Sequence, residues 1–195
     1  MTEAIQLVTG REAEACLPAV AGLRLAVFRE YPYLYAGKQE SEDQYLAGYA
    51  AAADGCVLTV SAGGRVVGAA TGMPLSLEQQ ELLTPFAATP YAVGEIYYVG
   101  ELLFYPDYRN RGLGMQTLQI LADKVRSFGR YRYLACATVM RPPGHPLQPA
   151  DYLPIDRFLA RTGFKALPGV FANFTWCETD SVSREHQMQF WLKEL

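Results

Sequence analysis

Gly112 and Gly114 stand one residue apart between two runs of different character. Before them, Glu95 to Tyr105 is mostly apolar and reads as a strand; after them, a run with helical period ends near Phe128. A chain patterned this way makes a strand-to-helix turn. Without Cβ atoms at the glycines, the turn lets the backbone come close to a bulky anion. The helix behind it offers N–H groups without intrahelical partners and the positive end of a dipole. Arg109 and Arg111 add charge at the mouth, so Arg109-Asn110-Arg111-Gly112-Leu113-Gly114-Met115 suits a pyrophosphate.

Two common pyrophosphate motifs do not fit. A nucleotide P-loop needs Lys and Ser or Thr after its last glycine, and Gly114 is followed by Met115-Gln116. A dinucleotide fingerprint needs a third small residue and an acid about 20 residues on. Thr117 is a poor substitute, and the next strand ends at Thr138-Val139-Met140 without an acid. A bare Gly-x-Gly could also be an ordinary glycine-rich turn, so the flanks decide.

Those flanks resemble the GNAT superfamily of acyl-CoA-dependent N-acetyltransferases. The resemblance rests on Leu102-Leu103-Phe104-Tyr105-Pro106-Asp107-Tyr108-Arg109-Asn110-Arg111-Gly112-Leu113-Gly114 and on Phe158-Leu159-Ala160-Arg161-Thr162-Gly163-Phe164. It implies an α/β (α+β) fold with a mixed, mostly antiparallel central sheet. Helices cover both faces, and one parallel strand pair splays apart at the cofactor site. It further implies acetyl-CoA as co-substrate and no metal. The pantetheine arm would bond the backbone of Leu102, Leu103 and Phe104. The diphosphate would sit on the N–H groups of Arg111, Gly112, Gly114 and Met115, with Arg109, Asn110 and Leu113 in the same turn. The acceptor, a small-molecule or peptide amine, would attack directly without an acyl-enzyme.

Length and composition are compatible with this. A chain of 195 residues, half of them apolar, suits one domain with a sizeable core, taken as 1–195. A net charge of −3 gives no support for nucleic acid as a partner. No two of Cys16, Cys56, Cys136 and Cys177 have metal-ligand spacing, and Cys56 and Cys136 lie in apolar runs that predict buried thiols. Met1-Thr2-Glu3-Ala4-Ile5 lacks the basic-then-apolar pattern of a signal peptide, and no apolar run reaches about 18 residues. A cytoplasmic enzyme with no membrane partner is expected.

The pattern predicts a first strand at Ile5–Val8, then a helix through Leu17, Val20, Leu23, Val27 and Phe28. A second helix runs from about Ser41, a candidate N-cap, to Ala52. Between them lies an aromatic cluster, Tyr31 to Tyr35, which either touches substrate or packs the helix pair. A hairpin spans residues 56–72, with its turn at Ala62-Gly63-Gly64. Segments 76–93 and 141–153 read as variable inserts near the acceptor site; the first has helical content from Leu77 to Leu83. Residues 112–128 form the cofactor helix, with Leu118, Leu121, Ala122 and Val125 on one face and Gly129 as its stop. Strands follow at Tyr131–Val139, Phe164–Leu167 and Phe171–Thr179. The last, Gln187–Leu192, is expected to close the sheet. A homodimer through the 76–93 insert or the last strand stays open.

Acetyl transfer requires the amine to lose a proton and the thiolate to leave. Glu101, which alternation puts on the face opposite Leu102 and Phe104, is the first candidate for the base or for the group that holds the ammonium. A structural carboxylate paired with an Arg is the alternative. Glu95 is a second candidate. Many family members place a Tyr at the position that Leu159 holds here, so Tyr152, one to two helical turns upstream, is the candidate acid. His145 sits in the loop expected to overhang the cleft and titrates in a useful range. Tyr33 and Asp151 are candidate contacts of the acceptor, and Asp156 either joins them or caps the closing helix. His186 reads as surface. A non-catalytic acyl-CoA-binding or interaction module on the same fold is the rival reading.

Overall fold

The computed structural model describes residues 3–195; Met1 and Thr2, on which the signal-peptide reading partly rests, lie outside them. The elements run β1 (Ala4–Thr9), α1 (Leu17–Phe28), α2 (Gln39–Ala51), β2 (Cys56–Ala62), β3 (Arg65–Pro74), α3 (Gln80–Leu83), β4 (Ile96–Phe104), α4 (Leu113–Ser127), β5 (Tyr133–Val139), α5 (Asp156–Arg161), β6 (Lys165–Cys177) and β7 (Ser183–Glu194). The strands form one sheet in the order β1-β2-β3-β4-β5-β7-β6. Every neighbouring pair is antiparallel except β4 and β5. This is the mixed, mostly antiparallel sheet expected. No described helix is long and apolar enough to cross a membrane.

Two features of β4 position the site. The first is its short parallel pairing. Only Ile96, Tyr97 and Tyr98 pair with β5, opposite Tyr133, Leu134 and Ala135. Beyond them β4 continues along β3 to Phe104 while β5 continues along β7 to Val139. The strands therefore part, and β4 carries an edge without a strand partner. The second feature is a bulge. Thr71 lies opposite Glu101 and Gly72 opposite Val99, which leaves Gly100 as the extra residue. A Cβ at Gly100 would overlap the hydroxyl of Tyr49, so only glycine fits there. The bulge sets the faces of the residues beyond it. Leu103 packs with Leu17, Leu46 and Ala69 under α1 and α2. Phe104 and Leu102 pack with Leu113 on the α4 side. Glu101 shares the face of Leu103, as alternation predicts.

Helices cover both faces. The apolar stripe of α4, Leu118, Leu121, Ala122 and Val125, packs on Tyr97, Val99 and Leu134, together with Leu159 and Phe164. At about 25 cal/mol per Å² of apolar surface, such a stripe holds α4 far more firmly than helix propensity does. On the other face, α1 and α2 cover β3 and β4, and the 75–93 segment seats Leu75, Leu82 and Phe86 against Ile96, Tyr98 and Phe190.

Several local expectations need correction. Helix α2 begins at Gln39 with Lys38 as its extended cap residue, so Ser41 lies inside the first turn; Glu40 and Glu42 there favour the dipole. The 76–93 insert holds only a four-residue helix, α3, between 3-10 turns. The two strands read at 164–167 and 171–179 are one strand, β6, with an irregularity between Ala166 and Phe171. Strand β7 does not close the sheet: it pairs on both sides, and β6 is the edge. Asp156 opens α5 without a side-chain capping bond. Cys56 is buried as expected, whereas Cys136 is half-buried.

Candidate active site

The turn after β4 is built of backbone. Asn110 and Gly112 have φ of +60° and +80°, the left-handed region that glycine enters without strain and Asn more readily than most residues. Gly112 is the cap residue of α4, and the N–H of Gln116 donates to its carbonyl at 3.1 Å. The N–H groups of Leu113, Gly114 and Met115 precede that bond and have no intrahelical acceptor. A Cβ at Gly114 would stand 3.6 Å from Phe158 and 3.8 Å from Phe104, so the chain itself tolerates one and only a ligand would exclude it. Arg109 is tied inward: Nε donates to the Phe104 carbonyl at 2.8 Å, and Nη1 pairs with Glu30 at 2.9 Å. Arg111 rims the turn, 3.5 Å from Glu3 and with its guanidinium 5.1 Å from the Tyr108 ring centre. The turn, together with the free edge of β4 at Leu102, Leu103 and Phe104, fits a diphosphate followed by a chain of amides.

On the opposite face a cavity of ≈ 270 Å³ opens where the strands part. Its wall takes Gly100 and Glu101 from β4 and Ala137 from β5. Helices α1 and α2 contribute Arg24, Phe28, Glu42 and Tyr45, and β6 and β7 contribute Phe174, Trp176 and Met188. Arg24 bridges the two carboxylates, with Nε on Glu42 and Nη1 on Glu101. Its guanidinium lies between the rings of Tyr45, at 4.3 Å, and Phe28, at 4.9 Å. Glu101 also accepts from Thr71, and Glu42 from Tyr35 at 2.8 Å. Buried charges persist only when paired in this way.

A second polar chain starts at the same wall. The hydroxyls of Tyr45 and Tyr49 are 2.6 Å apart, and Tyr49 donates to Glu78 at 2.8 Å. Only Tyr45 of these three lines the cavity. Burial pushes the Tyr45 phenol up to about 12, Arg24 opposing. Burial also raises the Glu78 carboxyl, against the bonds from Tyr49 and from the Gln79 N–H and the charge of Arg24.

Of the sequence-derived candidates, Glu101 and Tyr33 line the cavity. Tyr33 makes a tilted contact with Phe28 at 4.3 Å and stacks on Trp176 at 6.0 Å. Its carbonyl accepts from Arg141 at 2.9 Å and Trp176 at 3.1 Å, which pins the aromatic segment over β6. Tyr152 and His145 lie outside the wall, grouped around Tyr31 with ring centres at 4.7 and 5.6 Å. Burial, then Tyr31 and Asp156, raise the Tyr152 phenol to about 12, so it keeps its proton at neutral pH. Asp151 is exposed in the loop before α5. Glu95 pairs with exposed Arg132 at 3.3 Å, before β4 begins. Leu159, where the acid was sought, is buried against α4. His186 is not on the surface: it is buried, stacked on Trp176 at 3.8 Å, with Nε2 3.6 Å from Glu178.

Sequence reasoning missed Arg24, Glu42, Tyr45, Tyr49, Glu78 and Trp176. Arg24 had a signal, being the only charge in a helix that is otherwise apolar. Glu42 had none among the other acids and amides that open α2.

Among solved structures, an N-acetyltransferase from Staphylococcus aureus Mu50 aligns over 100% of this chain and 99% of its own, at 14% identity and TM-score 0.62. A ribosomal-protein-alanine N-acetyltransferase from Brucella melitensis aligns over 98% and 99%, at 18% identity and TM-score 0.60. A GNAT family acetyltransferase from Elizabethkingia anophelis, solved with acetyl-CoA bound, aligns over 99% and 98%, at 16% identity and TM-score 0.56. At these identities they establish the fold. No curated protein matches the chain. The acetyltransferase (GNAT) family model matches residues 23–146, from α1 through the glycine turn to the loop beyond β5. The chain belongs to the acetyltransferase (GNAT) family.

Proposed function

We propose that the chain transfers an acetyl group from acetyl-CoA to a primary amine by direct attack in a ternary complex. One observation carries this reading: the glycine turn and the cavity are joined by the stretch of β4 that has parted from β5. The turn ends β4, and the cavity wall contains Gly100, Glu101 and Ala137 from the two separating strands. A thioester laid along the free edge of β4, its diphosphate on Arg111, Gly112, Gly114 and Met115, reaches the cavity rim. Holding the amine there supplies much of the rate by proximity alone.

The amine nitrogen forms a bond to the thioester carbon, and the carbon–sulfur bond breaks. Glu101, fixed by Arg24 and Thr71, holds the ammonium. Before attack the ammonium gives one proton to Tyr45; it passes from Tyr45 to Tyr49 and from Tyr49 to Glu78, each hydroxyl accepting one proton and giving another. This direction agrees with Tyr49 acting as donor to Glu78. The second proton, lost from nitrogen as the amide forms, goes to the departing thiolate. The thiol has a pKa of about 8.5, so the thiolate can leave without an acid; if Tyr152 does protonate the sulfur, the second amine proton restores the Tyr152 phenol.

The test is thiol release from acetyl-CoA with a panel of primary amines, with the acetylated amine identified by mass. Coenzyme A at 100 times its Kd should stabilise the fold by about 2.7 kcal/mol. Stabilisation without acetyl transfer to any amine would favour a non-catalytic acyl-CoA-binding module, which the buried Leu159 also allows.

A further inference from the structure

The cavity has two chemically distinct ends. Helices α1 and α2 with β4 bring one guanidinium and two carboxylates, Arg24, Glu42 and Glu101. Strands β5, β6 and β7 bring Ala137, Phe174, Trp176 and Met188, with Tyr33 stacked on Trp176. Arg24 is the only basic residue among the described residues that line the wall. One guanidinium against two carboxylates leaves a single excess negative charge at the polar end. Behind aromatic walls that charge is poorly screened and favours one cation. A polycation would bring further charges with no other carboxylate among the described residues of the wall to neutralise them. A carboxylate-bearing amine would set its carboxylate against Glu42 and Glu101, whose own claim on Arg24 is already made.

Size narrows the choice. At about 30 Å³ per water-sized atom, the cavity of ≈ 270 Å³ holds about nine non-hydrogen atoms. The apolar end is lined by rings, which favour another ring in tilted or offset contact. Resting on the acetyltransferase reading above, we propose that the acceptor is a monocationic arylalkylamine about the size of 2-phenylethylamine. Its ammonium sits at Glu101 and Glu42, and its ring lies against Phe174 and the stacked pair Tyr33 and Trp176. The site would then select by net charge as much as by shape.

Three probes isolate the terms: 2-phenylethylamine; phenylalanine, which adds only a carboxylate; and spermidine, which adds charge and lacks a ring. Each is titrated by calorimetry into the full-length protein saturated with coenzyme A, a measurement that needs no turnover. Each is also assayed by thiol release from acetyl-CoA. We expect 2-phenylethylamine to bind and to react with kcat/KM about 100-fold above the other two. Trp176→Leu should weaken 2-phenylethylamine about tenfold while n-butylamine changes less than twofold. Glu42→Gln should weaken both amines alike. If Glu42→Gln fails to fold, Trp176→Leu still decides. Preference for phenylalanine or spermidine overturns the assignment. So does coenzyme A binding with no binding of 2-phenylethylamine, an outcome that leaves the cofactor reading standing. Binding of 2-phenylethylamine without acetyl transfer keeps the cavity assignment and removes the catalytic reading.

Discussion

The turn after β4 offers N–H groups without intrahelical acceptors from a few consecutive residues, whereas the cavity across the sheet draws its wall from α1, α2 and β4 to β7. The first needs two features of the chain, a positive φ at Gly112 and the missing Cβ at Gly114. The second needs a buried guanidinium between two carboxylates that are far away in sequence. A site made of backbone tolerates change in its side chains. A site made of buried charge does not, because each group is stable only while its partner is present.

The largest effect should therefore come from Arg24→Met. It leaves Glu42 and Glu101 buried without their counter-charge, at an expected loss of about 3–5 kcal/mol in urea unfolding at pH 7. If the variant loses less than about 1 kcal/mol, the cavity is not held by its charges and the contrast with the turn collapses.

Next come the carboxylates. Glu101→Gln should lower turnover about 100-fold, equivalent to about 2.7 kcal/mol, with coenzyme A affinity unchanged within about twofold. Glu78→Gln probes the tyrosine chain instead. Glu78 faces Tyr49 and the Gln79 N–H, with Arg24 also lowering its pKa and with Tyr45 and Tyr98 nearby. Its carboxyl is raised, so wild-type kcat/KM should fall on the acid side as Glu78 protonates, above the ordinary carboxylate range. Glu78→Gln should abolish that limb. Stability has its own sign: a raised carboxyl binds its proton more tightly when folded. Its contribution is full below the unfolded value and is lost as pH rises through the raised one. An unchanged pH profile in Glu78→Gln would remove the tyrosines from the proton's path.

Gly112→Val tests the turn. Forcing a β-branched residue to φ of +80° should cost about 1–2 kcal/mol and weaken coenzyme A about tenfold or more by calorimetry. Turnover at saturating acetyl-CoA should suffer less than in Glu101→Gln. An unaltered affinity would mean that the diphosphate lies elsewhere.

The two regions also differ in how far the sequence reveals them. The turn, the strand before it and the stripe of α4 are local, and their periods are visible in one stretch of chain. The same holds for the face of Glu101, because the bulge at Gly100 lies before it. The bulge had a signal of its own, a glycine inside a strand. His186 was misread from its charged neighbours Arg184 and Glu185. Its period-2 companions Met188, Phe190 and Leu192 marked the inward face. The cavity had no such pattern. Arg24 and Glu101 are 77 residues apart, and only the finished packing of α1 on β4 joins them. Glu78, in an insert read as variable, meets Tyr49 through the same packing.

Arg109→Ala should have the smallest effect. Sequence reasoning put Arg109 at the mouth of the diphosphate site, yet its side chain is spent on the Phe104 carbonyl and on Glu30. Both partners of the ion pair are more than a third exposed, so the pair contributes about 0.2–1 kcal/mol and less at high salt. The bond to Phe104 steadies the end of β4, and its loss should loosen the turn slightly. Together these predict a two- to fivefold weaker coenzyme A affinity, with melting temperature nearly unchanged. The salt dependence of binding should fall only slightly, since the N–H groups remain. A loss beyond about 30-fold would make the turn depend on a side chain in the way the cavity depends on Arg24, and the distinction between a backbone-built and a charge-built half would fail at that point.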